Sequence, residues 1–559
     1  MTYTPVITVR KSDLETLVGR SLNREELLYL LAKLKCEVEE LEDDVLTYEA
    51  NSDRPDLFSV EGLSRALKPW LGIQWRPFKI VDSNVNGYAK NIKERPYVAL
   101  AIVRDLELSN EAISQIMQLQ EKIAQTYGRN RKKVSIGLYD LDYIKPPIYY
   151  DLADPDETRI KPLNEPVTMS LREILDKTEK GVLYGFIIKD MEKYPVLRDS
   201  EGRILSLVPI INSDDFKVTP ETRNVLIDAT GTSLEEVVNA VTIMATSLAE
   251  RSRSGVIEVV RVYYEDGLVV EAPRRSQLEI EVELESINRL LGTQLGIQDV
   301  VKLLSYFYYE VKPVNNEKLV AKPPIYRLDV KTWVDIVEDV AIAYGYEVLG
   351  EEALSLPPST TPGRKHPVEY LSSRLRDILV GFGFQEVANY IMSNREIQLK
   401  LLGIDEELIV VENPKSDRFE ALRIWLTPQL LEVVRENIEK TPRLAIFEIG
   451  DVVIPDPNME TSVRIERRLG LAITHEKTTL TDGIAYIKTI LRELGVEAVF
   501  EKKEVKGFLP ERTASIKACG GELGFVGEID PRILYKIGVK NPVVIAEIIL
   551  NKVISLCLK

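Results

Sequence analysis

Histidine and cysteine are scarce in this chain of 559 residues, which has two histidines, His366 and His475, and three cysteines, Cys36, Cys519 and Cys557. Three cysteines so far apart make neither a disulfide framework nor a clustered zinc motif, and they point to a reducing cytoplasm. Between residues 97 and 255 there is no histidine and no cysteine at all. A Cys-His or Ser-His nucleophile pair is therefore excluded from that stretch. No apolar run approaches the roughly 18 residues of a membrane span. The N-terminal MTYTPVITVRKSD has no signal-peptide core. Positive charge is in deficit as well. The net charge of −16 argues against a nucleic-acid coat and leaves local basic patches open.

What is present is the composition of an ordinary globular chain, 45 % hydrophobic and 29 % charged. Its length suits about three to five domains. The polar segment Val81–Pro96 reads as a linker, and the proline-rich LSLPPSTTPGRKHP (Leu354–Pro367) as a boundary. Val256–Pro273 alternates around Asp266-Gly267 and reads as a hairpin. These marks divide the chain into 1–80, 81–255, 256–350 and 351–559. Helix and strand patterns mix throughout, so the class is α+β and multidomain.

The chain also repeats itself. Advancing residues 7–72 by 273 positions sets Ile7 on Ile280, Val9 on Val282, Leu14 on Ile287, Gly19 on Gly292 and Leu31 on Leu304. It also sets Arg54-Pro55-Asp56 on Arg327-Leu328-Asp329 and Gly72 on Gly345, without a gap. Core positions and turn glycines recurring together indicate one small helix-bearing domain used twice.

The second copy carries an acidic cluster in YRLDVKTWVDIVEDVAIAYGY: Asp329, Asp335, Glu338 and Asp339. On a helix the last three lie within about 100° of one another. Trp333, Val334, Val337, Val340, Ala341 and Tyr344 form the face expected to pack. Oxygen ligands without His or Cys suit Mg²⁺ or Ca²⁺. A solvated acidic face near a helix N-terminus is the other reading.

Seven blocks resemble the β subunit of phenylalanyl-tRNA synthetase, of the archaeal type. They are SDRPDLFSVEGLSRAL (Ser52–Leu67), RKKVSIGLYDLDYIKPPIYY (Arg131–Tyr150), SLVPIINSDDFKVTPETRNVLIDATGT (Ser206–Thr232), the acidic block above, GFQEVANYIMSN (Gly383–Asn394), VENPKSDRFEALRIWLTPQLLEVVRENI (Val411–Ile438) and IFEIGDVV (Ile446–Val453). They occur in the family's order and span nearly the whole chain. The resemblance implies duplicated small domains, an α+β editing domain at 81–255 and a C-terminal antiparallel domain like a class II synthetase without the active site. It implies a Mg²⁺ site at Asp329, Asp335, Glu338 and Asp339. It implies an editing pocket, for tyrosine wrongly joined to the phenylalanine tRNA, at Leu197, Ser206, Asn212, Asp228 and Thr230. Asn212 and Asp228 could also merely cap turns. The basic run Arg129, Arg131, Lys132 and Lys133 reads as a tRNA phosphate contact or as a solvated loop.

The same resemblance places ATP and aminoacylation on an α subunit, in an α2β2 tetramer with tRNA(Phe) and no membrane. In agreement, residues 365–559 show neither Phe-Arg-x-Glu nor a closing Gly-x-Gly-x-x-Arg, so no aminoacylation residue is expected on this chain. Glu448 and Asp451 read as structural. Pro510-Glu511-Arg512 stands where many relatives have Gly-Arg. The competing reading is a free-standing hydrolase of mischarged tRNA, or a tRNA-binding scaffold.

Overall fold

A computed structural model describes residues 4–352, 363–441 and 443–558. Most of the proline-rich boundary falls outside the described residues. Two units separate there, Met1–Leu356 and Pro357–Lys559.

The internal repeat is a structural repeat. In the first copy, strand Val6–Arg10 leads into helices Lys11–Val18 and Arg24–Lys33, strands Glu37–Glu42 and Val45–Glu49, and helix Val60–Leu67. In the second, Ile280–Glu283 leads into Leu284–Leu291, Ile297–Ser305, Glu310–Pro313, Lys318–Lys322 and Trp333–Tyr344. Both three-stranded sheets place the last strand between the other two. Gly19 and Gly292 end the equivalent first helices at φ 96° and 71°, a left-handed turn that a side chain resists. The copies touch through stacked Trp70 and Tyr306, with ring centroids 4.5 Å apart, and through the ion pair Lys33–Glu347 at 2.7 Å.

A ten-stranded sheet occupies the middle of the first unit. Its order is Ile211–Asn212, Ile204–Leu207, Tyr194–Arg198, Ile148–Ala153, Lys79–Ala89, Val256–Tyr264, Tyr97–Val103, Val225–Gly231 and Val134–Asp140, with Val269–Ala272 hairpinned onto Val256–Tyr264. Helices Asn110–Gln125 and Leu234–Ala249 pack on it. Two expectations change here. The presumed linker at Val81–Pro96 is mostly strand, parallel to both of its neighbours. The buried positions of its strand, Lys79–Ala89, are Val85, Gly87 and Ala89, too small to give an apolar signal. A Cβ on Gly87 would meet Leu100 at 2.9 Å and Val262 at 3.0 Å. The hairpin at Val256–Ala272 forms as expected but belongs to this sheet, so the second copy begins after it.

The second unit holds a seven-stranded sheet in the order Gln385–Glu386, Leu444–Pro455, Val463–Thr474, Val543–Ile549, Gly521–Ile529, Phe508–Ala518 and Val499–Lys502. Every pairing is antiparallel except the first. Pro510-Glu511-Arg512 sits within strand Phe508–Ala518, at a register shift between Phe508 and Thr513 rather than in a turn. The cysteines, read as too far apart in sequence for a disulfide framework, nonetheless form one bond. Cys519, in the turn after Phe508–Ala518, is bonded to Cys557 at the end of helix Leu550–Cys557, and Cys36 is buried and free. The two partners stand 38 positions apart, and only the fold brings their Cα atoms to 5.6 Å.

Candidate functional site

Strands Val134–Asp140 and Val225–Gly231 pair so that Asp228 stands opposite Gly137. Side chains of a strand alternate between faces, so Gly137 and Tyr139 share one face. Asp228 projects onto the same side, because a Cβ on Gly137 would lie 2.1 Å from Asp228 Oδ1 and 2.3 Å from the Tyr139 hydroxyl. Glycine in mid-strand thus makes room for two polar groups. Helix Asn110–Gln125, capped by Ser109, supplies Met117, Gln120 and Glu121, and the turn from Ser206 to Asn212 supplies the facing wall. Together they enclose a cavity of about 470 Å³.

At its base the Tyr139 hydroxyl donates to Asp228 Oδ1 at 2.7 Å and lies 2.9 Å from Ser206 Oγ and 3.5 Å from Asn212 Oδ1. Asn212 Nδ2 donates to the Leu138 carbonyl at 3.2 Å, so it is anchored in the wall. Burial pushes the Asp228 carboxyl up to about 6, against the hydrogen bond from Tyr139, the Arg95 guanidinium and the Gly137 amide, which favour the charged form. Burial raises the Tyr139 phenol as well, and Asp228 adds to that. Arg95 lies buried behind the cavity. It donates to Thr230 Oγ1 and Ser135 Oγ, both at 2.9 Å, and to the Arg131 carbonyl at 3.0 Å. A buried carboxyl poised near neutrality in a cavity of mixed polarity is a functional-site signature.

Ser206, Asn212 and Asp228 therefore converge, and neither Asn212 nor Asp228 is a turn cap. Thr230 stands two residues along the strand, held by Arg95 and Ser135, and supports the wall without lining the cavity. Leu197 is fully buried beside Ser206 and does not line the cavity either. Tyr139 and Gly137 escaped the sequence reading. The signal that could have found them is a glycine two residues before a tyrosine in an otherwise apolar strand.

The basic run divides. Arg129, Asn130 and Arg131 all adopt positive φ. Arg131 is buried, donates to the Ile210 carbonyl and Glu121 at 2.7 Å each, and lies 4.3 Å from the Tyr184 ring centroid. It is a wall of the cavity and has no surface for phosphate, which corrects its reading as a tRNA contact. Lys133 pairs with Glu236 at 2.8 Å. Arg129 and Lys132 are exposed.

The acidic cluster is dispersed. Asp329 pairs with Arg327 at 2.6 Å, and the same guanidinium reaches Asp339 at 2.8 Å. Asp339 also accepts from the Tyr309 hydroxyl at 2.6 Å and is buried. Asp335 accepts from the Thr332 amide and hydroxyl as a helix cap. Glu338 pairs with Lys35 of the first copy. Asp339 turns inward because Arg327 and Tyr309 receive it, while Trp333 and Val334, expected to pack, stay partly exposed. Among the described residues no three His, Cys, Asp or Glu side chains are grouped to hold a metal. The residues as placed do not fit a four-carboxylate Mg²⁺ cage. Arg327 supplies the positive charge between the inner two acids.

In the second unit Glu448 is buried against Arg423 at 2.6 Å and accepts from Asn389 at 2.7 Å. Glu547 caps helix Thr427–Asn437 and pairs with Arg468 at 2.8 Å. Asp451 pairs with Arg467 at 2.6 Å. Glu448 and Asp451 are thus committed to structure.

Comparison with known proteins gives three family matches: the B3/4 domain over residues 86–254, the tRNA synthetase B5 domain over 280–346, and the phenylalanyl tRNA synthetase beta chain CLM domain over 354–550. The phenylalanine--tRNA ligase beta subunit of Thermofilum pendens is 42 % identical over 547 residues, covering 97 % of each chain. That of Pyrococcus horikoshii is 40 % identical over 558 residues, covering 98 % of this chain and 99 % of its own. A crystal structure of an N-terminal fragment of the P. horikoshii phenylalanyl-tRNA synthetase beta subunit is 44 % identical with a TM-score of 0.58. It covers 61 % of this chain and all of that one.

Proposed function

The chain belongs to the phenylalanine--tRNA ligase beta-subunit family, and from that premise we propose that it serves as the β subunit of an α2β2 enzyme in the cytoplasm, with two separable tasks. The first is to support attachment of phenylalanine to its tRNA, with ATP and the chemistry on the α subunit. The paired, buried carboxylates of the second unit favour this division, since Glu448 and Glu547 are already satisfied by the chain's own arginines. Among the described residues no helix is long and apolar enough to cross a membrane.

The second task is hydrolysis of tyrosyl-tRNA in the cavity around Asp228. The observation that carries it is the Asp228–Tyr139–Ser206 constellation at the base of a cavity large enough for an amino-acid side chain. Above pH about 6 the Asp228 carboxylate accepts the phenolic hydroxyl of the tyrosyl group. A phenylalanyl group forgoes that bond and leaves the carboxylate with only the Tyr139 hydroxyl and the Gly137 amide, and discrimination built on such a missing partner reaches up to about 10⁴-fold. Water attacks the ester carbonyl, the ester bond breaks, and tyrosine leaves as the free acid while the terminal ribose regains its hydroxyl. With no His or Cys in residues 97–255, the water is positioned by polar groups rather than replaced by a protein nucleophile.

The test uses the assembled enzyme and the isolated chain side by side. The assembly should clear tyrosyl-tRNA much faster than phenylalanyl-tRNA. The isolated chain should show no phenylalanine-dependent pyrophosphate exchange. Equal clearance of both aminoacyl-tRNAs would sink the recognition argument. Exchange by the isolated chain would sink the division of labour.

A further inference from the structure

Beside the cavity mouth runs a short helical turn with an unusual outer face. Thr178, Glu179 and Lys180 line the cavity at its start. The chain then presents Val182, Leu183 and Phe186 to solvent at 71 %, 54 % and 46 % exposure, while Tyr184 turns inward under Arg131. Val182 and Leu183 lie four and three residues before Phe186, the spacings that bring side chains of successive turns together. An exposed apolar patch at the lip of a cavity is costly unless something covers it.

A lysine stands over part of it. Lys132 Nζ stands 5.2 Å from the centroid of the Phe186 ring. Arg129, Lys132 and Lys189 are exposed, and none makes an ion pair among the described residues. The exposed acids Glu179 and Asp190 flank the turn in sequence. An aromatic ring under a lysine that makes no ion pair among the described residues matches one chemistry closely. Unpaired nucleotides offer a flat base to stack and a phosphate to pair, and stacking on aromatic rings tolerates any base. Double-stranded nucleic acid, whose bases are already stacked, would gain nothing from Phe186.

We propose that Val182, Leu183, Phe186 and Lys132 form the docking surface for the unpaired 3′-terminal nucleotides of aminoacyl-tRNA, with a base on Phe186 and a phosphate at Lys132. The inference rests on the hydrolytic reading of the cavity, and it deepens that reading by naming what holds the substrate outside it. The linked amino acid enters between Lys180 and Ser206, which line the same cavity. Arg131 orders the surface from below, through Tyr184 and the carbonyls of Pro209 and Ile210.

The experiment uses the assembled enzyme with tyrosyl-tRNA and with the same tRNA carrying 4-thiouridine in its unpaired 3′ end. Phe186→Ala should raise KM for tyrosyl-tRNA clearance about tenfold with kcat kept, the loss of one stacked base. Phe186→Trp should restore KM, and Phe186→Leu should not. Lys132→Gln should flatten the salt dependence of log KM by about 0.7, one single-strand phosphate. Ultraviolet crosslinking should join the thiouridine to the peptide carrying Phe186. Unchanged KM together with no crosslink overturns the surface while leaving the cavity's role intact. Rescue by Phe186→Leu equal to that by Phe186→Trp overturns stacking. Loss of the α subunit from Phe186→Ala enzyme overturns it in favour of a protein interface. If the crosslink forms but wild-type enzyme never clears tyrosyl-tRNA, the surface stands and the hydrolytic reading falls.

Discussion

Replacing Asp228 by Asn should make the protein more stable at neutral pH while removing its hydrolytic activity. The carboxyl is held at about 6 in the fold, against about 3.9 in an unfolded chain. Near pH 3 it is neutral in both states and costs nothing. As pH rises past 4 the unfolded chain ionises first, and the folded carboxyl follows only through 6. Stability is therefore lost between about pH 4 and 6 and stays lost above, by on the order of 3 kcal/mol at pH 8. Asparagine keeps an oxygen for the Tyr139 hydroxyl, fills nearly the same volume and never ionises. Calorimetry of the full chain should show the transition of the first unit raised in Asp228→Asn at pH 8. The gap should narrow to about 1 kcal/mol or less at pH 4.5. An equal gap at both pH values would mean the effect is packing rather than charge. No gap at pH 8 would mean the carboxyl is not buried at a cost, and the poised-acid reasoning would fail.

Tyr139→Phe removes a donor that favours the charged form of Asp228. The pH midpoint of tyrosyl-tRNA clearance should then move upward from about 6, and an unmoved midpoint in the pH–rate profile would show that Tyr139 does not tune the acid. Gly137→Ala puts a methyl into contact with both polar groups and should lower clearance at least about tenfold with phenylalanine charging kept. Arg327→Gln strands Asp329 and Asp339, both poorly accessible to water, and should cost about 3–5 kcal/mol in chemical unfolding. Chelation by EDTA should leave the wild-type transition of that unit where it was, and a marked fall on chelation would restore a metal to the acidic cluster.

The duplication was legible because it needs no gap. Shifting the first copy's helix Lys11–Val18 and strand Val45–Glu49 by 273 positions lands on Leu284–Leu291 and Lys318–Lys322. The cavity was half legible. Ser206, Asn212 and Asp228 were found through the resemblance of their blocks to the family, whereas Tyr139 reads as a core aromatic until Gly137 is seen to open space beside it. Lys79–Ala89 misled because its inward positions are small, and a strand without an apolar stripe looks like a linker. The acidic cluster misled differently. Its counter-charge, Arg327, sits two residues from Asp329 and on a separate turn from Asp339, so only the fold shows that one guanidinium serves both. The Cys519–Cys557 pairing required knowing where helix Leu550–Cys557 ends relative to the turn at Cys519.

The central claim is that one cavity in residues 86–254 clears tyrosyl-tRNA independently of the chemistry that charges phenylalanine. Its most direct test is a paired measurement on assembled enzyme carrying Asp228→Asn, with tyrosyl-tRNA hydrolysis and phenylalanine attachment followed in the same preparation. Clearance should fall to near the uncatalysed rate while attachment continues at the wild-type rate. Clearance at the wild-type rate would put the hydrolytic site elsewhere, and joint loss of clearance and attachment would contradict the separation of the two tasks.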